Sequence, residues 1–410
     1  LLKVFQAALQ RVAGRACVRR FLAEQESRGP CGIVAIGKAA QSMALGAVDA
    51  LGSSVGSGLV ISKTGHLDYA ELESRGLSGI EAEHPVPGEG TFAAGAALLR
   101  YIEKGPSDLP LLFLISGGAS SLVEVPAPGI SVGDVQRTNR WLLGSGLAIG
   151  EMNLVRKALS DIKAGRLLAH LGGRVRRGLL ISDVPGDDPS VIGSGLLVPD
   201  PDLQQRVGRL ELPEWLVSLL RRVQWRGAQP VESPPLSIVA NLQDALDAAE
   251  TAARDQGLRV FRHPEFVAGD AAKSGEQLAR ILLESEPGLH LWGGETTVRL
   301  PSSPGTGGRN QHLALAAARV IAGHRGTWFL SGATDGTDGP TEDAGALVDG
   351  ETLRRAELAG FDADTSLIQA DAGTVLAASG DLIYTGPTGT NVMDMMMGLR
   401  IDDGRKPADA

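Results

Sequence analysis

Three glycine-broken segments between His290 and Asp349 carry residue types suited to chemistry on an anion: LWGGETTVRL, GTGGRNQHLALAAA and FLSGATDGTDGPTEDAGALVDG. The first and third are apolar runs that break into glycines followed at once by acids and hydroxyls. Between them, Arg309 in a glycine-rich loop opens an alanine-rich helical pattern. Glycine turns bring backbone N–H groups close to a ligand, and a helix start favours negative charge. Asp335 and Asp338 add hard oxygen ligands of the kind Mg2+ takes. Anion holders beside cation holders suggest work on a phosphate–metal complex. Tight turns with exposed acids are the plainer reading, and three in one region weigh against it.

Further candidates lie elsewhere. Lys38 stands where the apolar run CGIVAIG gives way to a helical pattern, well placed to meet an anion. Positive charge is unfavourable at a helix start unless it has a function. Ser116-Gly117-Gly118-Ala119-Ser120-Ser121 follows the run PLLFLI, a turn of small residues with free N–H groups and hydroxyls that can hold phosphate or carboxylate. Arg156, Ser160 and Lys163 have helical spacing and form a basic face, for which a solvated surface is the better reading. Asp183 closes the run RGLLIS, where α/β enzymes keep their acids. TGPTGTNVMD, with Thr388 and Asn391, reads as a ligand loop leading into a helix capped at Asn391.

The elements that must position these residues follow from hydrophobic periodicity. Strands are expected at 31–37, 58–62, 110–115 and 177–182, then at 237–240, 259–261, 289–299 and 327–332. Helices are expected at 38–50, 91–103, 132–147 and 152–169, then at 242–256, 270–284 and 309–322. Continuous apolar strands alternating with helices predict parallel sheets covered on both faces. The chain of 410 residues is too long for one ordinary core. Two doubly wound, Rossmann-like α/β domains are therefore expected, 1–232 and 233–410, joined near the proline-rich 230–235.

Composition excludes several classes. Net charge is −9 and no basic stripe is interleaved with aromatics, so nucleic acid is not an expected partner. Two cysteines are too few for a disulfide framework, and no apolar run reaches spanning length, which points to the cytoplasm. Gly32 to Lys38 nearly spells a P-loop, but Ala39 holds the hydroxyl position and the intervening residues are strand. Gly144-x-Gly146 is a poor dinucleotide fingerprint, because no clear strand precedes it.

Nine segments, in order over nearly the whole chain, resemble the glycerate 2-kinase family, whose C-terminal half is the MOFRL domain. They are IGKAA, HPVPGEG, SGGASSL, NLVRKALSDIKAGRL, ISDVPGDDPSVIGSG, GGETTV, GGRNQHLAL, SGATDGTDGPTEDAGA and TGPTGTNVMD. The resemblance implies ATP- and Mg2+-dependent phosphorylation of D-glycerate at the 2-hydroxyl, in two α/β domains with the active site in the cleft between them. It equates the family's essential lysine and arginine with Lys38 and Arg309. Catalytic roles are accordingly expected for Lys38, Arg309 and Asp183. Substrate or nucleotide contacts are expected from Ser116, Gly117, Gly118, Ser120, Ser121, Arg156, Glu295, Asn310, Thr388 and Asn391, with Asp335 and Asp338 as metal ligands. The expected partners are small molecules, with a homodimer as the assembly considered. Two departures stand out: Ala119 replaces a glycine, and His312 falls where an acid is common. The alternatives are an NAD(P)H-dependent hydroxypyruvate reductase, a kinase giving 3-phosphoglycerate, and a non-catalytic anion-binding protein. The absence of a convincing GxGxxG loop weighs against the reductase.

Overall fold

The computed structural model describes residues 1–25, 29–84, 86–224 and 232–401. The chain divides into two compact units, Ala13–Ala240 and a second made of Leu1–Val12 with Asn241–Ala410. The expected boundary lay at 232/233, and this division falls at 240/241. The strand before the division belongs to the first unit, and the first helix belongs to the second. Of the expected linker, 230 and 231 lie outside the described residues.

In the first unit the strands are β1 (Cys31–Ile36), β2 (Val55–Lys63), β3 (Leu77–Ala82), β4 (Leu111–Ile115), β5 (Val175–Ile181) and β6 (Leu236–Ala240). They lie in the order β3-β2-β1-β4-β5-β6, and every neighbouring pair is parallel. All residues of β1 and β4 are buried, as strands covered on both faces must be. Val34, Ile36, Ile61, Phe113 and Leu180 join Leu98 and Ile102 of the helix Glu89–Lys104 in one core cluster. Burying each such side chain stabilises the unit by roughly 1.5–3 kcal/mol. The strand order reverses direction between β1 and β4. Open α/β sheets bind ligands at such a switch point, beyond the carboxyl ends of the strands.

The expected helix over 152–169 is interrupted. A helix covers Ile149–Ala158, the chain then turns through Ala164 (φ 53°) and Gly165 (φ 77°), and a short helix resumes at Leu167–Leu171. Arg156, Ser160 and Lys163 therefore share no helix face, and the basic residues are not a solvated surface. Lys157 and Lys163 are buried.

The second unit departs from the doubly wound expectation. Its strands are β7 (Val260–Asp270), β8 (Gly288–Thr297), β9 (Thr327–Ala333), β10 (Gly345–Asp349), β11 (Leu382–Ile383) and β12 (Asp394–Arg400). The order is β11-β10-β9-β12-β8-β7, and only β7 and β8 run parallel. The insertion of β12 antiparallel between β8 and β9 makes the sheet mixed. A strand also starts at Asp394, where a capped helix was expected.

The helix Arg309–Ile321 crosses this sheet and is buried on nearly all sides, which its alanines permit. Leu313, Ala314 and Ala317 pack with Trp292, Phe329 and Met396. The N-terminal helix Leu2–Val12 buries Val4, Phe5, Ala8 and Val12, and it meets the helix Leu242–Asp255 through an Arg11–Asp244 ion pair at 3.5 Å. Among the described residues, no helix is long and apolar enough to cross a membrane.

Candidate active site

The adjacent, parallel strands β1, β4 and β5 end side by side. Beyond them come Lys38, the loop Ser116–Ser121 and Asp183. The Lys38 N–H donates to the Gly117 carbonyl at 2.9 Å, and the Ala39 N–H to Ser116 Oγ at 3.0 Å. These bonds clamp the two loops together across the switch point. Gly118 has φ 84°, a left-handed conformation that favours glycine. A Cβ there would lie 3.1 Å from His84 Nε2 and 3.2 Å from Lys38 Cγ, so both side chains flank this glycine. Ala119 instead opens the short helix Ala119–Leu122. The family's glycine at 119 is thus replaced at no backbone cost, because the left-handed residue is Gly118. Asp183 is half-buried just past β5.

Behind the same loop is a cavity of about 50 Å³ lined by Ser120, Ser121, Glu124, Asn139, Arg156 and Lys163, among others. Lys163 Nζ donates to Glu124 Oε2 at 2.5 Å, a fully buried ion pair. Arg156 is different. Its Nε donates to Asn139 Oδ1 and its Nη1 to Asn153 Oδ1, both at 3.1 Å. Neither acceptor is charged, and burial alone lowers the guanidinium's pKa. Ser120 Oγ lies 2.7 Å from Ser194 Oγ. Ser194 is buried and held at φ 59°, an uncommon conformation for a non-glycine residue that calls for local support.

In the second unit, Arg309 grips Asp394 with a fork, Nε to Oδ2 at 2.5 Å and Nη2 to Oδ1 at 3.0 Å. Nη2 also lies 3.0 Å from Glu295 Oε1. Asp394 is fully buried, opposite Gly294 of β8 and Ala333 of β9. These two carboxylates hold the Arg309 pKa above its ordinary value against the opposing effect of burial. Arg309 at a helix start is therefore balanced from within the unit, and its position alone does not require a ligand anion. The loop before β12 is tied down by Thr388, whose hydroxyl donates to the Thr334 carbonyl at 2.6 Å. Met393 in that loop holds φ 72°, a strained conformation next to the acid that grips Arg309. Asn391 is buried in the same loop.

The two proposed metal ligands differ. Both oxygens of Asp338 are taken by the start of the Arg309–Ile321 helix: Oδ1 accepts from the Asn310 N–H at 3.0 Å and Oδ2 from the Gln311 N–H at 2.8 Å. A Cβ at Gly308 would stand 2.3 Å from Asp338, so glycine is needed to admit the cap. Burial pushes the Asp338 carboxyl up to about 7 despite these bonds. Asp338 fits a structural cap better than a metal ligand. Asn310 is likewise committed inside the unit, with its Oδ1 accepting from Ser331 Oγ at 2.6 Å. Asp335 Oδ1 accepts from the Thr337 N–H at 3.0 Å, and this acid just past β9 is the better Mg2+ candidate. Among the described residues, no group of three His, Cys, Asp or Glu side chains could hold a metal.

A parallel sheet with a lysine and a glycine-serine loop at its switch point, in a chain with a second α/β unit, defines a two-unit α/β protein. The chain belongs to the glycerate kinase family. Residues 1–211 match a domain family of unknown function (DUF4147), and residues 288–394 match the MOFRL family. A D-glycerate 2-kinase of Thermotoga maritima is 36% identical over 382 residues, covering 90% of each chain. A protein of Agrobacterium vitis that carries a provisional hydroxypyruvate reductase name is 39% identical over 386 residues, 90% of this chain and 98% of its own. The crystal structure of a Thermotoga maritima glycerate kinase superposes with a TM-score of 0.83 at 33% identity, covering 97% of this chain and 98% of that one.

Sequence reasoning missed Asp394, Asn139 and Glu124. Asp394 had one signal, an acid at the head of the apolar run DMMMGL. Asn139 and Glu124 had none, because their partners are 17 and 39 positions away.

Proposed function

We propose that the protein transfers the γ-phosphoryl group of ATP to the 2-hydroxyl of D-glycerate. The observation that carries this reading is the junction of Lys38 with the Ser116–Ser121 loop at the switch point of the parallel sheet. Lys38 and the loop N–H groups would neutralise charge on the phosphoryl group as it moves. Phosphoryl transfer rests largely on such positioning and charge stabilisation. Asp183, at the carboxyl end of β5, is our candidate to accept the proton of the attacking hydroxyl. In the second unit, Arg309 and the Thr388–Asn391 loop are offered as substrate or nucleotide contacts. Mg2+ bound with ATP would offset phosphate charge, with Asp335 as its protein ligand. The cytoplasm and a homodimer remain the expected setting.

The reductase reading meets a specific objection. After β1 the chain continues Gly37-Lys38-Ala39-Ala40-Gln41-Ser42, where a dinucleotide-binding unit of this strand order would carry its glycine fingerprint. The test is ADP release with ATP, Mg2+ and D-glycerate, run beside NADH oxidation with hydroxypyruvate. Glycerate-dependent ADP release is expected. NADH oxidation without it would install the reductase instead.

A further inference from the structure

We propose that Asn139 is a specificity-determining positioning residue: with Asn153 it holds Arg156 through neutral amide oxygens, so that the guanidinium keeps its positive charge for the carboxylate of the substrate. This rests on the glycerate reading above and assigns one end of that substrate.

Most cations of the first unit with side-chain partners meet a carboxylate: Lys163 is paired with Glu124, Lys157 lies 3.9 Å from Asp200, and Arg15 is bonded to Asp49. Arg174 is held by the Leu171, Pro106 and Ile102 carbonyls, so neutral partners alone do not mark a site; Arg156 differs in that it also lines a cavity. Arg156 has two amide oxygens in the places where carboxylates would serve. An amide satisfies the hydrogen bond and fixes the planar fork but neutralises nothing. Removing a charge from water without compensation is costly, and such a site is stabilised when an anion arrives. Arg156 Nη2 has no partner among the described residues. The cavity it lines also holds the Glu124–Lys163 pair, whose charges cancel, so Arg156 sets the net sign.

Size decides which anion. The cavity is about 50 Å³, whereas a site for a drug-sized ligand runs from roughly 300 Å³ upward. A carboxylate on a short carbon chain matches that scale and a nucleotide does not. Ser120 and Ser121, on the wall of the same cavity, belong to the loop that we assign to the phosphoryl group. A short hydroxy acid seated on Arg156 would therefore present its hydroxyl toward that loop. Asn139 lines the same cavity, is itself buried, and acts through the bond it accepts from Arg156.

The test is Asn139→Asp, which keeps the shape and supplies the missing carboxylate. Internal pairing should raise the KM for D-glycerate by roughly 10- to 100-fold, the weight of a charge-assisted bond. The KM for ATP should stay within about twofold, and the variant should remain folded, because the new carboxylate faces the Arg156 guanidinium. Asn139→Leu, which removes the acceptor without adding charge, should raise the glycerate KM less. A structural role alone would lower kcat and stability together without selecting glycerate over ATP. Calorimetric titration of D-glycerate without ATP reads the subsite independently of turnover. Binding by the wild type and its loss in Asn139→Asp supports the proposal even if no phosphoryl transfer is found. Equal glycerate binding by the two proteins, or an unchanged glycerate KM, overturns it.

Discussion

Arg309→Ala should lower stability as well as activity, because the residue has two separable jobs. Asp394 is fully buried, and the Arg309 fork supplies its charge compensation. Removing one partner of a buried pair costs about 3–5 kcal/mol, because the other charge is left uncompensated. Arg309 keeps about a third of its side-chain surface, so the lower end applies, near 3 kcal/mol. For a unit of this size, that is a fall in melting temperature of roughly 6–12 °C. Asp394→Asn removes the buried charge, and the Arg309→Ala/Asp394→Asn double variant should recover much of the loss. Thermal and urea unfolding of the four proteins gives a coupling energy expected at about 2–3 kcal/mol. Arg309→Lys keeps the charge and loses the fork, so its stability should fall between those of the wild type and Arg309→Ala. If Arg309→Ala melts with the wild type, the pair does not hold the head of β12, and the internal account of Arg309 is wrong.

Three further outcomes follow from the geometry. Lys38→Ala should cost roughly 100- to 1000-fold in kcat with an unchanged melt, as expected for loss of a charge used in the transition state; near-normal turnover would place the phosphoryl group elsewhere. Burial holds His263, His290 and His312 below the ordinary histidine value of 6.5. Their stabilising contribution is present above that pH and is lost as pH falls through the lowered values. On going from pH 7.5 to 5.5, the melting temperature of the wild type should therefore change less favourably than that of His263→Phe; identical changes in both proteins would acquit His263. Asp338 has the opposite sense: its raised pKa of about 7 means its contribution is lost as pH rises from 3.8 through 7. Asp338→Asn should flatten that part of the melting profile, and Asp338→Ala should cost about 0.5–2 kcal/mol as a lost cap, seen by urea unfolding.

The centre of the first unit was legible because β1 and β4 are buried on both faces. CGIVAI and LLFLI are continuous apolar runs, and the residues that close them, Lys38 and Ser116, fall at the strand ends where the chain's glycines place them. The second sheet was not, because a strand buried on both faces reads alike whether its neighbours run parallel or antiparallel. Nothing in DMMMGLR states that it enters between β8 and β9 in the opposite direction. The helix break after Ala158 was hidden by accident: Arg156, Ser160 and Lys163 keep helical spacing although the helix has ended, and the left-handed Ala164 and Gly165 follow them. The partner of Arg309 lies 85 positions away, and spacing carries no trace of it. The N-terminal helix shows its apolar stripe in sequence, but only the fold reveals that its partner is the helix Leu242–Asp255.

The central claim is the site of phosphorylation. Protein, ATP, Mg2+ and D-glycerate should be mixed with enolase and without a phosphoglycerate mutase, and absorbance followed for phosphoenolpyruvate. Only 2-phosphoglycerate is dehydrated by enolase, so the account predicts phosphoenolpyruvate formed in step with ADP. ADP without phosphoenolpyruvate until a mutase is added would mean the 3-hydroxyl is the acceptor, and would contradict it.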